Sequence, residues 1–333
     1  MKKFINKPED FVEEMLEGIY HAHPEVTHVG EDLRCFVRAD PVKGKVGLVT
    51  GGGSGHLPLF LGFVGKNMLD GAGVGGVFQS PSSEQILDVT RFVDQGAGVL
   101  YIYGNYSGDV INFEMAGEMA EIEGIETSTV IGRDDVASSV IGEEHKRRGV
   151  AGIFFIYKVA GGASAQMKPL QEVARLAEKA SSRTRTIGVA LSPCIVPEVG
   201  KPSFQIGIDE MEIGMGIHGE PGITRKKLTP VNEMVDEMMA RIFSEQEYKT
   251  EKEVAVLING LGATPLEELY VIYRRVAIVL EQAGAKIRHV FIGEFATSME
   301  MAGASISVLQ LDDELEPLVA LGVNTPFFKH ITY

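Results

Sequence analysis

Apolar residues follow two alternating rhythms along the chain. Dense runs of small and branched apolar residues, the pattern of strands buried on both faces, occur at Gly44 to Thr50, Gly98 to Tyr103, Glu126 to Ile131 and Gly152 to Val159. Between them, helical spacing marks Phe11, Val12, Met15, Leu16 and Ile19, and again Ile86, Leu87, Val89, Thr90 and Val93. Further helices are predicted from Asp109 through Met119 and from Pro169 to Ala180. Ser80-Pro81 reads as an N-cap with proline at the first helical position. This strand and helix alternation predicts a mostly parallel sheet.

The charged, serine-rich stretch Ser181 to Thr186 marks a boundary. Beyond it, strands are predicted at Ile187 to Leu191, Glu212 to Ile217, Val254 to Ile258, His289 to Ile292 and Ser305 to Leu309. Thr264 and Glu267 fit a capping box, with Pro265 opening a helix whose stripe is Leu266, Leu269, Tyr270, Tyr273, Val276 and Leu280. The fold class is therefore α/β with two domains. Residues 1–182 form a three-layer domain on a parallel sheet, and 183–333 a smaller α/β domain with a mixed sheet.

Composition narrows the function classes. A net charge of −15 disfavours nucleic acid and anionic membrane as partners, since both repel an acidic surface. Cys35 and Cys194 show no metal-ligand spacing, and the basic start Met1 to Pro8 lacks the apolar core of a signal peptide. No apolar run reaches membrane-spanning length, so a cytoplasmic protein is expected. The basic run Lys146-Arg147-Arg148 reads as a solvated helix end.

The 39 glycines cluster where strands end. The first predicted strand runs into Gly51-Gly52-Gly53-Ser54-Gly55-His56, a loop whose N–H groups suit a polar ligand but which is neither a Walker A loop nor GxGxxG. The second runs into Gly104-Asn105-Tyr106-Ser107-Gly108-Asp109, where Asp109 is either an N-cap or a catalytic acid. In Gly214-Met215-Gly216-Ile217-His218-Gly219-Glu220-Pro221-Gly222, glycines surround one imidazole, which suits a solvated turn or a ligand site. In a parallel sheet His56 and Asp109 share one edge, and His218 reaches it from the other domain. A histidine with a carboxylate moves protons at neutral pH, and a neutral imidazole attacks carbonyls.

Together with Gly200-Lys201-Pro202-Ser203-Phe204 and Leu261-Gly262-Ala263-Thr264-Pro265, these strings resemble the dihydroxyacetone kinase K subunit family, in order and over nearly the whole chain. The resemblance implies a two-domain α/β homodimer that binds a short ketose as a covalent hemiaminal on His218. It also implies acid/base roles for His56 and Asp109 and close backbone contacts from Gly53, Ser54 and Gly55. The chain shows no nucleotide or magnesium motif and ends at Tyr333 without an L-type domain. It therefore resembles the stand-alone subunit, which binds no cofactor itself. Such a subunit takes phosphate from ADP and magnesium on a separate L subunit, recharged by a phosphotransferase-system M subunit.

Two positions depart from that pattern. Leu57 stands where the family has glutamate, and Gly104 stands where it has a lysine beside the substrate. Losing the lysine removes a donor and several methylenes, which predicts a roomier, less polar pocket at Gly104, fit for a four-carbon ketose such as erythrulose. The same changes suit a non-catalytic ketose-binding coactivator that acts on a transcription regulator. Retention of His56, Asp109 and His218 favours the kinase subunit.

Overall fold

The computed structural model describes residues 2–245 and 253–331, so Met1 and Tyr333 lie outside the described residues. The first half follows α1 (Phe11–Ala22) with strands β1 (Val26–His28), β2 (Cys35–Arg38), β3 (Gly47–Gly53), β4 (Gly71–Gly75), β5 (Val99–Gly104) and β6 (Thr127–Gly132). They form a sheet in the order β1-β2-β4-β3-β5-β6. The four strands from β4 to β6 are parallel, as the alternation predicts, while β1 and β2 add an antiparallel edge.

Helices α2 (Ser83–Val93) and α3 (Ser107–Ile122) cover one face of this sheet, with Ile86, Val89, Val93 and Phe113 buried against Val49, Tyr101 and Tyr103. Helices α4 (Ile153–Ala165) and α5 (Leu170–Arg183) cover the other. The second half contributes β7 (Thr184–Ala190), β8 (Glu210–Ile213), β9 (Thr224–Lys227), α6 (Val231–Phe243), β10 (Glu253–Gly260), α7 (Leu266–Gln282), β11 (Lys286–Glu294) and β12 (Gly303–Gln310). Its sheet runs β11-β10-β12-β7-β8-β9 and is mixed: β10 and β11 are parallel, and the other neighbouring pairs described are antiparallel. Helices α6 and α7 pack one face through Met234, Met238, Leu269 and Val276. A short helix, α8 (Glu316–Ala320), and a hairpin of β13 (Val323–Asn324) and β14 (Lys329–His330) complete the described chain.

The segment Gly152 to Val159, expected as a strand, is the first half of α4. Its run of consecutive apolar residues is explained by position, because α4 lies between the two sheets and is buried on every side. Phe154 packs on Phe63 (5.6 Å) from the first half and on Phe291 (5.1 Å) and Phe295 (4.8 Å) from the second. A helix buried all round shows no periodicity, so its sequence reads like a buried strand. One core cluster accordingly spans both sheets, and α5 passes into β7 with no intervening loop.

Helix starts also shift. The cap of α2 is Ser82, not Ser80, because Gln85 lies three residues on and closes a capping box with it. Thr264 does not cap α7. Its hydroxyl donates to the Gly303 carbonyl (2.6 Å) and accepts from the Gly303 N–H (2.9 Å), so a long-range tie displaces the local one. The strand expected to reach Ile217 ends at Ile213, where Gly214 takes φ of +86°.

Of the basic run 146–148, Lys146 is an exposed end of a short 3-10 turn, as expected, but the two arginines are not solvated. Arg147 is 1% exposed and bonds Glu245 through two nitrogens, each at 2.9 Å, while Arg148 turns inward onto Asp135. Buried acids draw these guanidiniums inside, since a buried charge requires a partner. No helix among the described residues is long and apolar enough to cross a membrane.

Candidate functional site

Three neighbouring parallel strands and one loop of the second sheet converge. At the end of β3 a short 3-10 turn, Ser54–His56, places His56 at 1% exposure. After β4, Phe78 and Ser80 follow; after β5, Tyr106 precedes α3 and Asp109 lies in its first turn. His218 arrives from the loop after β8, a reversal that relies on positive φ at Gly214 and Gly219. His56 and Asp109 thus share one edge of the parallel sheet, and His218 meets them across the two halves. This is the carboxyl end of the strands, where open α/β sheets bind ligands.

The two imidazoles touch edge to face, ring centroids 4.6 Å apart. Phe78 stacks on His56 at 4.7 Å and meets His218 at 5.4 Å, while Tyr106 meets His218 at 4.6 Å. Phe78 holds φ of +59°, a strained conformation for an aromatic residue, and it fits only because Gly53 has no side chain; a Cβ there would lie 2.6 Å from the Phe78 Cα. A cavity of about 220 Å³ remains, lined among others by Gly53, Phe78, Ser80, Tyr106, Asp109 and His218.

Hydrogen bonds fix both tautomers. His56 Nδ1 lies 2.7 Å from the Thr297 carbonyl, which only accepts, so Nδ1 carries the proton and Nε2 the lone pair. That Nε2 is buried and has no hydrogen-bond partner among the described residues. Burial, with His218 close by, pushes His56 down to about 3 against the opposing Thr297 carbonyl and Glu220, so His56 stays neutral.

His218 Nδ1 lies 2.9 Å from Glu220 Oε1, and its backbone N–H donates to Oε2 at 2.9 Å. Burial alone would raise Glu220, but the hydrogen bond and charge of His218, aided by Arg148, hold it at about 2. A carboxylate only accepts, so the Nδ1 of His218 carries a proton, and in the neutral ring the lone pair lies at Nε2.

Asp109 is not the N-cap, which falls at Tyr106; it sits in the first turn with Oδ1 buried and unpartnered among the described residues. Burial pushes its carboxyl up to about 6, against the Ser80 hydroxyl and His218. Asp109 is therefore poised to exchange a proton near neutrality.

The other expected residues divide. Gly53 lines this cavity, whereas Ser54, Gly55 and Leu57 line a separate one of about 500 Å³ on the far side of the loop, against the N-terminal segment. Gly104 is not among the lining residues; a Cβ there would meet the Tyr106 ring at 3.0 Å and the Gly149 carbonyl at 3.4 Å. The roomier pocket expected at Gly104 is thus filled by Tyr106, whose hydroxyl donates to the Gly149 carbonyl at 3.0 Å. Phe78, Ser80, Tyr106, Thr297, Arg148 and Glu220 escaped the sequence reading. Only Glu220 carried a local signal, a carboxylate two residues after the histidine within one glycine loop. No group of three His, Cys, Asp or Glu among the described residues is placed to hold a metal ion.

Fold and site define an α/β protein with a small cavity held between two sheets, and the Dak1 domain profile matches residues 17–327. The chain belongs to that family, the dihydroxyacetone kinase K subunit family. It is 46% identical over 94% of its length to the PTS-dependent dihydroxyacetone kinase 1, dihydroxyacetone-binding subunit DhaK of Listeria innocua, covering 95% of that protein. It is 41% identical over 99% of its length to the D-erythrulose kinase of Mycolicibacterium smegmatis, covering 57% of that longer protein. Among solved structures it resembles the dihydroxyacetone kinase operon co-activator Dha-DhaQ, with TM-score 0.87 and 33% identity over 93% of this chain and 96% of that one.

Proposed function

We propose that this chain is the substrate-holding subunit of a ketose kinase and captures dihydroxyacetone, or a four-carbon ketose such as erythrulose, as a hemiaminal on His218. The observation that carries this reading is the orientation of His218: Glu220 holds Nδ1 at 2.9 Å and leaves Nε2 as a nucleophile beside a small cavity. Nε2 bonds to the carbonyl carbon and the π pair moves to oxygen. The Nδ1 proton of the now cationic ring, relayed through Glu220 and solvent, neutralises that oxygen as a hydroxyl, so the ring is neutral and Glu220 is again a carboxylate. Polyols without a carbonyl are excluded by reactivity. A terminal hydroxyl then gives its proton to Asp109, the more basic of the two neighbours, as it attacks a phosphoryl group. His56 accepts a hydrogen bond at Nε2 and orients that hydroxyl.

The phosphoryl donor is a nucleotide with magnesium on a partner L subunit, itself recharged by the phosphotransferase system, and the chain works in the cytoplasm as a homodimer. A crystal soaked in dihydroxyacetone tests the capture: continuous density from the ketose carbon to Nε2 supports it, and a merely hydrogen-bonded ketose rejects it. A second reading, a ketose-binding coactivator without turnover, is favoured by the likeness to the operon co-activator. Purified chain with an ADP-loaded L subunit separates the two, since tight binding without phosphorylation of any three- or four-carbon ketose selects the coactivator.

A further inference from the structure

A carboxylate beside a nucleophilic histidine fixes the tautomer that frees Nε2, so whatever orients the carboxylate also orients the nucleophile. In the loop around His218 a cation stands behind that carboxylate. Arg148, whose side chain is 14% exposed, leans on the same carboxylate, with Nη1 3.9 Å from Glu220 Oε2. Its other nitrogens are anchored: Nε donates to Asp135 Oδ2 at 2.9 Å, and Nη2 to the Gly214 carbonyl at 3.0 Å. The two charges meet against Gly216, where a Cβ would lie 2.1 Å from Glu220 Oε2 and 2.5 Å from Arg148 Nη1.

From this arrangement we infer that Arg148 is a positioning residue for carbonyl capture, holding the His218 loop to the first half and orienting Glu220, the carboxylate that sets which nitrogen of His218 faces the cavity. The inference rests on the proposed capture of a ketose by His218.

The groups facing His218 are few. His56 is neutral, Tyr106 is a buried phenol, Asp109 lies across the cavity, and Glu220 is the one carboxylate bonded to the ring. Behind Arg148 stand Asp135, which it pairs, and Asp134, which accepts from the Val150 and Gly152 N–H groups. With the guanidinium gone, Glu220 and the Gly214 carbonyl lose the group that ties them to the first half.

Arg148→Gln keeps a donor for Asp135 and removes the charge; Arg148→Lys keeps the charge. We expect the 15N NMR signals of His218, without ligand, to show the Nδ1-protonated tautomer in native protein and in Arg148→Lys, and a mixture of both tautomers in Arg148→Gln. Dihydroxyacetone binding should weaken by about 3- to 10-fold in Arg148→Gln and stay within about twofold of native in Arg148→Lys. An unchanged tautomer pattern in Arg148→Gln, or an equal loss of binding in both variants, overturns the assignment. If Arg148→Gln does not fold, a mixed tautomer pattern in Arg148→Lys overturns it and a native-like one supports it. Protein that shows these tautomers in native and variant forms but binds no ketose rejects the capture and leaves the role of Arg148 standing.

Discussion

Two glycine loops each deliver one histidine, and the two imidazoles differ in what holds Nδ1. In the loop after β3, His56 bonds a backbone carbonyl and is buried; in the loop after β8, His218 bonds a carboxylate and keeps about a quarter of its side chain exposed. Both turn Nε2 away from the partner that holds Nδ1. A neutral carbonyl offers no charge to stabilise an imidazolium, which leaves His56 a weak base. On the proposed reading His56 orients the ketose and His218, held by Glu220, captures it, so one tautomer serves two tasks and the partner atom decides which.

The strongest way to break this contrast is His218→Ala, for which we expect no adduct in a ketose-soaked crystal and phosphorylation reduced by about 10³-fold or more. Asp109→Asn should lower turnover by about 10²- to 10³-fold and leave ketose binding within a few-fold. Its pH profile carries a sign. As the proposed base, Asp109 acts as a carboxylate, ionised above about 6, so native turnover should fall as pH drops through about 6, and the Asn variant should lose that limb. An acid limb that survives in Asp109→Asn rejects its role as base.

His56→Asn should cost about 10- to 100-fold in turnover with the adduct intact, because His56 orients but does not trap. If the adduct vanishes in this variant, the two histidines are not divided as described. The smallest effect belongs to Gly104→Ala. A methyl there presses on the Tyr106 ring, which must yield by a few tenths of an ångström, so chemical denaturation should register a change under about 1 kcal/mol.

The strand ends and their glycines were legible because they are local: a parallel sheet must turn at each carboxyl end, and the sequence there showed where His56, Asp109 and His218 lie. What escaped depended on distance. Arg147 and Arg148 look like a solvated run until Glu245 and Asp135 are folded against them. The stretch 152–159 gave no period because α4 has no solvent face. At Gly104, the missing side chain suggested a space that the ring of Tyr106, two residues away, already fills. Likewise Ser80 looked like a cap, and only the neighbouring strand ends show it beside Asp109.

The helix α4, core to both sheets through Phe154 and Phe155, bears on how the protein comes apart. Each sheet keeps a core of its own on its outer face, under α2 and α3 on one side and α6 and α7 on the other, but the layer around α4 is common to both, so loosening one half strips packing from the other. A site shared between the halves depends on that common layer, and the contact of His218 with His56 lasts only as long as it does.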